Sequence, residues 1–174
     1  MRSIKGLALV LIGLVWVLQG CTYKLSLNGA SIPQGLKTIR VEFFENTAPL
    51  VVNTLSQQFT EALKDRIRNT TSLSVVNGEA DAVMSGTITD YNIAPVSVQA
   101  TNNTTAPLAD QTRLTITVNV KYAYDADKKL SFEQSFSKSK DFKGEIASVE
   151  QSLIADINKQ LTEDIFNKAF ANWE

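Results

Sequence analysis

Residues 113–124 constrain the fold most strongly, because their apolar and polar side chains alternate without a break. The apolar set is Leu114, Ile116, Val118, Val120, Tyr122 and Tyr124, and the polar set between them is Arg113, Thr115, Thr117, Asn119 and Lys121. Such alternation is typical of a β-strand with one buried face and one solvated face. The chain must therefore build a sheet and cover one side of it.

Two other segments repeat with the period of a helix and supply that cover. The first begins at Asn53 or Thr54 and runs to about Arg68, with apolar residues at every fourth position: Leu55, Phe59, Leu63 and Ile67. The second begins at Ser148, which has Gln151 three positions later in the spacing of a capping box. Its apolar stripe is Val149, Leu153, Ile157, Leu161 and Ile165.

The remaining strands are predicted from shorter patterns. Residues 37–44 alternate, with Ile39, Val41 and Phe43 on one face, and residues 73–76 form a short strand. Residues 82–91 form another strand that continues past a bend at Pro95, and a return strand runs from Leu130 to about Lys138. The sequence predicts an α+β fold, a two-layer sandwich with two helices packed on one face of a mixed, mostly antiparallel sheet of about four strands.

Composition excludes several kinds of function. The formal net charge is -1, which argues against nucleic acid as a partner. There is no histidine and one cysteine, so His-based acid–base catalysis, Ser-His or Cys-His nucleophiles and the usual zinc sites are absent. An enzymatic function would depend on Asp and Glu residues that form no paired motif. We expect a protein that is not an enzyme and that uses no cofactor.

The N-terminus has the pattern of a secretory signal that ends at a cysteine. Arg2 and Lys5 precede an apolar run at residues 6–18, which is too short to span a bilayer, since spanning needs roughly 20 residues. The small residue Gly20 followed by Cys21 resembles a bacterial lipobox, in which the cysteine is acylated and becomes the new N-terminus. The alternative is that Cys21 is an incidental thiol after an ordinary signal peptide.

This interpretation divides the chain into three parts. Residues 1–20 are the signal peptide, residues 21–36 are a lipid-anchored tether, and residues 37–174 are one α+β domain. Several acyl chains give a stable membrane anchor, where a single chain does not. Thr22 stands where inner-membrane lipoproteins usually carry Asp, so resemblance to other lipoproteins favours the outer membrane.

One polar segment has two open interpretations. Residues 101–112, TNNTTAPLADQT, show no apolar period. They are either a solvated hairpin connection or a loop that contacts a partner or a saccharide.

The chain resembles the LptE-like lipopolysaccharide-assembly lipoproteins, in the form found in Bacteroidetes. The resemblance covers residues 21–173, and it lies in the lipobox cysteine and in the segments YKLSLNGASIP, KTIRVEFFENTAPLV, LSQQFTEALKDRI, TSLSVV, GTITDYNIAPV, RLTITVNVKY, FEQSFS and IFNKAFANW. It implies a periplasm-facing outer-membrane lipoprotein that sits in the lumen of an LptD-like β-barrel, assists its assembly and plugs it during lipopolysaccharide transport. The implied partners are that barrel, lipopolysaccharide and the membrane itself, the last through the acyl anchor on Cys21.

Four cations near the predicted hairpin are candidate contacts for lipid phosphates: Arg113, Lys121, Lys138 and Lys140. The alternative is a solvated charged face balanced by Glu133 and Asp141. A second function also stays open, that of a stand-alone envelope lipoprotein that binds glycan or glycolipid through its exposed sheet face or through residues 101–112.

Overall fold

The computed structural model describes residues 32–50, 52–96 and 111–171, which contain two helices and six strands. Helix α1 is Leu55–Thr70 and helix α2 is Ile146–Phe170. The strands are β1 Thr38–Val41, β2 Glu45–Asn46, β3 Ser74–Val75, β4 Ala82–Val96, β5 Gln111–Tyr124 and β6 Phe132–Phe142. The predicted α+β sandwich is confirmed, with six strands in place of about four.

All six strands belong to one mixed sheet. Its order is β3-β1-β4-β5-β6, and β2 also pairs with β4. The contacts of β1 with β3 and β4, and of β2 with β4, are parallel, whereas β4–β5 and β5–β6 are antiparallel. Strands β5 and β6 form the predicted hairpin, joined through a 3-10 turn at Lys128–Leu130, and the return strand reaches Phe142.

The first predicted strand is broken in the middle, and the face assigned to one aromatic residue is wrong. Phe43 was predicted to face the core, but its side chain is 59% exposed and Phe44 is fully buried instead. The backbone N–H of Phe44 donates to Thr60 Oγ1 at 3.1 Å, so it has left the sheet at this point. Pairing resumes at Glu45 opposite Thr87. The break moves the alternation by one residue, which a single unbroken strand cannot do.

As predicted, strand β4 continues past Pro95, and it runs from Ala82 to Val96 without an interruption there. Its irregularity lies instead between Ile88 and Asp90, where the register against β5 shifts and leaves Thr89 exposed. A bulge of this kind adds a residue to one strand of an antiparallel pair.

The two helices cover one face of the sheet, as predicted. Leu55, Phe59, Leu63 and Ile67 of α1 are fully buried, and α2 buries Leu153, Ile157, Leu161 and Ile165 with Ile154, Phe166 and Phe170 beside them. Gln58 donates to Gln151 at 3.0 Å near the start of both helices, and Arg66 pairs with Glu163 at 3.4 Å further along both. The helices therefore run parallel to one another across the sheet.

The starts of both helices differ from the predicted caps. Thr54 precedes α1 but makes no side-chain capping bond. Helix α2 begins at Ile146 after Glu145, and Ser148 lies inside its first turn, where its hydroxyl donates to the Glu145 carbonyl at 2.8 Å. The capping-box spacing at Ser148 thus predicted the correct region for the start of α2 but not its first residue.

Gly86 allows the closest approach inside the sheet. A Cβ atom at this position would lie 2.1 Å from the backbone oxygen of Asn119 and 2.6 Å from Cε1 of Phe44. The inward turn of Phe44 therefore depends on a residue without a side chain in β4.

Asp81 fastens the beginning of β1 to the beginning of β4. Its carboxylate accepts the backbone N–H groups of Lys37 and Thr38 at 2.9 and 2.8 Å, and the Thr38 hydroxyl at 2.9 Å. Those backbone bonds, with the hydroxyl, lower the pKa of the Asp81 carboxyl below its ordinary value. The carboxylate thus supplies acceptors where the parallel β1–β4 ladder starts.

Candidate functional site

The uncovered face of the sheet carries a belt of short polar side chains on β5 and β6. In register across the two strands, Thr115 lies opposite Ser139, Thr117 opposite Ser137, and Asn119 opposite Ser135. We call these six residues the polar belt. The hydroxyl oxygens of Thr117 and Ser137 are 3.0 Å apart, within hydrogen-bond distance. The belt is neutral and rich in groups that donate and accept hydrogen bonds.

Charged residues bound the polar belt at its two ends. At one end Arg113 donates to both carboxylate oxygens of Asp141, at 2.6 and 2.9 Å. This pairing raises the pKa of the Arg113 guanidinium and lowers that of the Asp141 carboxyl, so both stay charged. At the other end Lys121 lies opposite Glu133 in the register, and the described part of the chain shows no ion pair for Lys121.

The four predicted cations do not form one cluster. Lys138 and Lys140 lie opposite Ile116 and Leu114, so their side chains are on the face that the helices cover. Lys138 Nζ is 2.8 Å from Asp164 Oδ2, and Lys140 pairs with Asp156, both acidic groups on α2. The expected balance by Glu133 and Asp141 is wrong for these two lysines. Sequence spacing could not reveal this, because the partners come from a distant helix.

A second feature, which the sequence analysis did not identify, lies where the β5–β6 turn meets the end of α2. Here a cavity of about 260 Å³ is lined by Lys129, Leu130, Phe132 and Lys168, with Ser131, Ala169 and Ala171 completing it. The Lys168 ammonium lies 5.9 Å from the centre of the Phe132 ring. Two cations beside an apolar wall suit a ligand that has an anionic group next to an apolar one.

Two buried tyrosines of the covered face have altered titration but form no catalytic arrangement. Burial and the hydrogen bond to Glu150, in which the Tyr91 hydroxyl donates at 2.7 Å, raise the pKa of Tyr91. Burial raises the pKa of Tyr122 to about 12. Both hydroxyls therefore stay neutral at physiological pH; Tyr91 donates a hydrogen bond, and Tyr122 packs its ring against Phe132 and Phe170.

Several predicted features lie outside the described residues: Cys21, the signal peptide and residues 101–110 of the polar loop. Gln111 and Thr112, the two residues before Arg113, belong to β5. Within the described ranges no cluster of three or more His, Cys, Asp or Glu residues is placed to hold a metal ion. None of the helices in those ranges is long and apolar enough to cross a membrane.

Comparison with protein families gives one match that covers most of the chain. A family model described as LptE, lipopolysaccharide-assembly, matches residues 36–169. No curated protein sequence matches the chain.

Solved structures share the fold at low sequence identity. An uncharacterized lipoprotein B from Nitrosomonas europaea is 15% identical, with a TM-score of 0.55 over 85% of this chain and 88% of its own. The rare lipoprotein B from Shewanella oneidensis is 11% identical, with a TM-score of 0.53 over 75% of this chain and 92% of its own. A hypothetical protein from Chlamydia trachomatis is 9% identical, with a TM-score of 0.54 over 79% and 99%. At these identities the likeness establishes the fold alone.

Proposed function

The chain belongs to the LptE lipopolysaccharide-assembly family, and on that premise we propose that it is an outer-membrane lipoprotein that plugs a β-barrel translocon and assists its assembly. The barrel would be LptD-like and would deliver lipopolysaccharide to the outer leaflet. The observation that carries this proposal is the match of residues 36–169 to the family model, which spans both helices apart from the last residue of α2.

The polar face supports the role of a plug. The interior of a large membrane barrel is polar and wet, so a domain inside it needs an exterior that tolerates water. The polar belt and the exposed strand ends meet that demand, while the apolar residues of β5 are buried under the helices. A plug also needs rigidity, which the two-layer core provides, and it needs no catalytic group.

A lipid anchor on Cys21 is the second part of the proposal. Acylation after removal of residues 1–20 would hold the domain of residues 37–174 at the membrane through the tether of residues 21–36. Tethering converts the meeting with the barrel into an encounter at high effective concentration.

The four predicted cations differ in how readily each could contact a phosphate of lipopolysaccharide. Lys138 and Lys140 have carboxylate partners on α2, and Arg113 has Asp141, so each would have to exchange an existing ion pair for a lipid phosphate. Lys121 lies on the open face, opposite Glu133. Lys121 is therefore the cation of the four that contacts a phosphate at the lowest electrostatic cost.

The test is affinity purification of the full-length chain from outer membranes in mild detergent, with the LptD-like barrel co-expressed. We expect the barrel in roughly equal amount, and less folded barrel in cells that lack the chain. Cys21→Ala and Cys21→Ser both lack the thiol that is acylated, so both are variants without the anchor. A chain recovered without the barrel, from cells with normal barrel folding, would overturn the proposal.

The alternative function is a stand-alone lipoprotein that binds an envelope glycolipid, and the cavity beside Lys129 and Lys168 favours it. Calorimetry with purified lipopolysaccharide tests it, with Lys168→Gln as the variant and Lys37→Gln, an exposed lysine just before β1, as the control. Saturable binding that Lys168→Gln weakens and Lys37→Gln does not would favour this alternative, and absence of binding would remove it.

A further inference from the structure

The outer edge of β6 has the features of a docking site for a protein strand. Strand β6 has 11 residues and pairs with β5 alone among the described residues, whereas β3 at the opposite edge of the sheet has two residues. Proteins commonly keep exposed edge strands short. A long edge strand with unpaired backbone N–H and C=O groups therefore indicates a place where another strand binds.

The orientation of the β6 backbone follows from the hydrogen bonds around it. Ser131 Oγ accepts the N–H of Tyr124 at 2.9 Å and donates to the carbonyl of Tyr124 at 3.4 Å, so both backbone groups of Tyr124 point toward the β6 side. Backbone direction alternates along an antiparallel strand. The even-numbered residues of β5 therefore bond to their even-numbered partners on β6, such as Val118 with Phe136.

Strand β4 gives an independent check that the even-numbered residues of β5 bond to β6. The carbonyls of Met84 and Ile88 accept the N–H groups of Glu42 and Thr47 at 2.9 and 2.8 Å, so the even residues at the start of β4 point away from β5. Odd residues such as Thr87 then bond to β5, opposite the odd residue Asn119. The even residues of β5 are thereby left for β6, in agreement with the bonds at Ser131.

The N–H and C=O groups that point outward from β6 thus belong to its odd-numbered residues: Glu133, Ser135, Ser137, Ser139 and Asp141. The three in the middle are serines of the polar belt, whose small side chains allow another backbone to approach. Lysines often block an exposed edge by projecting past it. Here Lys138 and Lys140 are instead held against α2 by Asp164 and Asp156.

We propose that the outer edge of β6 pairs with an extended polypeptide segment of the barrel partner, which adds a strand to the sheet. Five outward-facing residues repeat every second position along a strand, and only another extended backbone matches that repeat of alternating donors and acceptors. A second copy of this chain fits less well, since a β6–β6 pairing centred on Ser137 sets Glu133 beside Asp141 of the other copy. This inference rests on the proposed function, because the strand comes from the barrel.

Residue-resolved hydrogen exchange on the full-length chain tests the proposal directly. In the isolated chain the amides of Ser135, Ser137 and Ser139 should exchange fast, while those of Phe136 and Lys138 exchange slowly. In the complex with the co-expressed barrel, the three serine amides should slow at least tenfold. Serine amides that are already slow in the isolated chain would overturn the proposal. Light scattering would then tell whether a second copy or the chain's own segment covers the edge.

A proline substitution supplies the second readout. Ser137→Pro removes one outward N–H group and is tolerated on a free edge, whereas Ser137→Ala keeps the N–H and serves as the matched control. We expect Ser137→Pro to lower the amount of co-purified barrel at least about tenfold with an unchanged circular dichroism spectrum, and Ser137→Ala to leave it unchanged.

The two proposals fail in different ways. If the barrel co-purifies with the unaltered chain while the serine amides stay fast and Ser137→Pro binds normally, the edge proposal is wrong and the plug function stands. If the barrel does not co-purify at all, both are wrong. If Ser137→Pro is unfolded, the exchange measurement on the unaltered complex decides the question.

Discussion

The two faces of the sheet differ in what their residues are required to do, and β5 shows the difference within a single strand. Its even-numbered residues from Leu114 to Tyr124 are buried under α1 and α2, whereas its odd-numbered residues from Arg113 to Lys121 are polar and at least partly exposed. The covered face obtains its stability from packing. The residues of the open face are not needed for this packing, so their polar side chains are available for contact with a partner.

The sharpest test of this comparison replaces neighbouring residues on opposite faces. Ile116→Ala should lower the free energy of unfolding by about 2–5 kcal/mol, because it removes fully buried methyl groups and leaves a cavity. Thr117→Ala should lower it by less than about 1 kcal/mol, since the side chain is on the open face. Urea unfolding measures both. Losses of similar size would show that the two faces contribute equally.

A smaller effect is expected at Gly86, a position in β4 that has no side chain. Gly86→Ala should cost about 1–3 kcal/mol, because the added methyl group meets the Asn119 carbonyl and the Phe44 ring. Gly78→Ala is the matched control, since a Cβ there meets no atom within 4 Å. Urea unfolding again provides the comparison. A harmless Gly86→Ala would mean that both the Asn119 backbone and the Phe44 ring can move away without cost.

The smallest predicted effect concerns Asp81, an exposed carboxylate. Exposed charged groups usually contribute little to folding stability, and this test asks whether Asp81 contributes more. The pKa of Asp81 is lower in the folded chain than its ordinary value of 3.8, so Asp81 stabilises the fold above that value. This contribution is lost as the pH falls through the lower, folded pKa. Asp81→Asn should lower the melting temperature near neutral pH and reduce its fall in acid.

Asp65→Asn is the control for this third test, because it removes a carboxylate from an exposed helical ion pair with Arg68. Thermal unfolding followed by circular dichroism across the acid range provides the measurement. Equal acid sensitivity of the Asp81→Asn variant and the unaltered chain would remove Asp81 from the list of stabilising groups.

The parts of the fold that could be predicted are those with a local period. The stripe of α1 and the alternation of β5 each report burial directly, since side-chain direction follows from helix or strand geometry. The break at Phe43 and Phe44 could not be predicted in the same way. It depends on Thr60 of α1 and on the missing side chain of Gly86, both distant in sequence.

The same limit applies to the candidate site. The polar set of β5 was visible in the sequence, and its three uncharged residues, Thr115, Thr117 and Asn119, form half of the polar belt. The pairing of Lys138 and Lys140 with Asp164 and Asp156 was not visible, because it depends on how α2 crosses β6. The cavity at Lys129 and Lys168 likewise joins a turn to the end of a helix, so no continuous motif identifies it.

The parallel contact between β1 and β4 has a consequence for the order in which the chain folds. Ile39 pairs with Ala82, 43 positions later, whereas β4, β5 and β6 follow one another as neighbouring antiparallel strands. Closing long loops slows folding, so we expect the hairpin of β5 and β6 to form early and β1 to join late. Pulse-labelled hydrogen exchange would show this as protection in β5 before β1, and the reverse order would contradict it. During synthesis the residues of β1 leave the ribosome before those of β4. Until β4 is available for pairing, Ile39 and Val41 are exposed, and the chain is then most dependent on a chaperone.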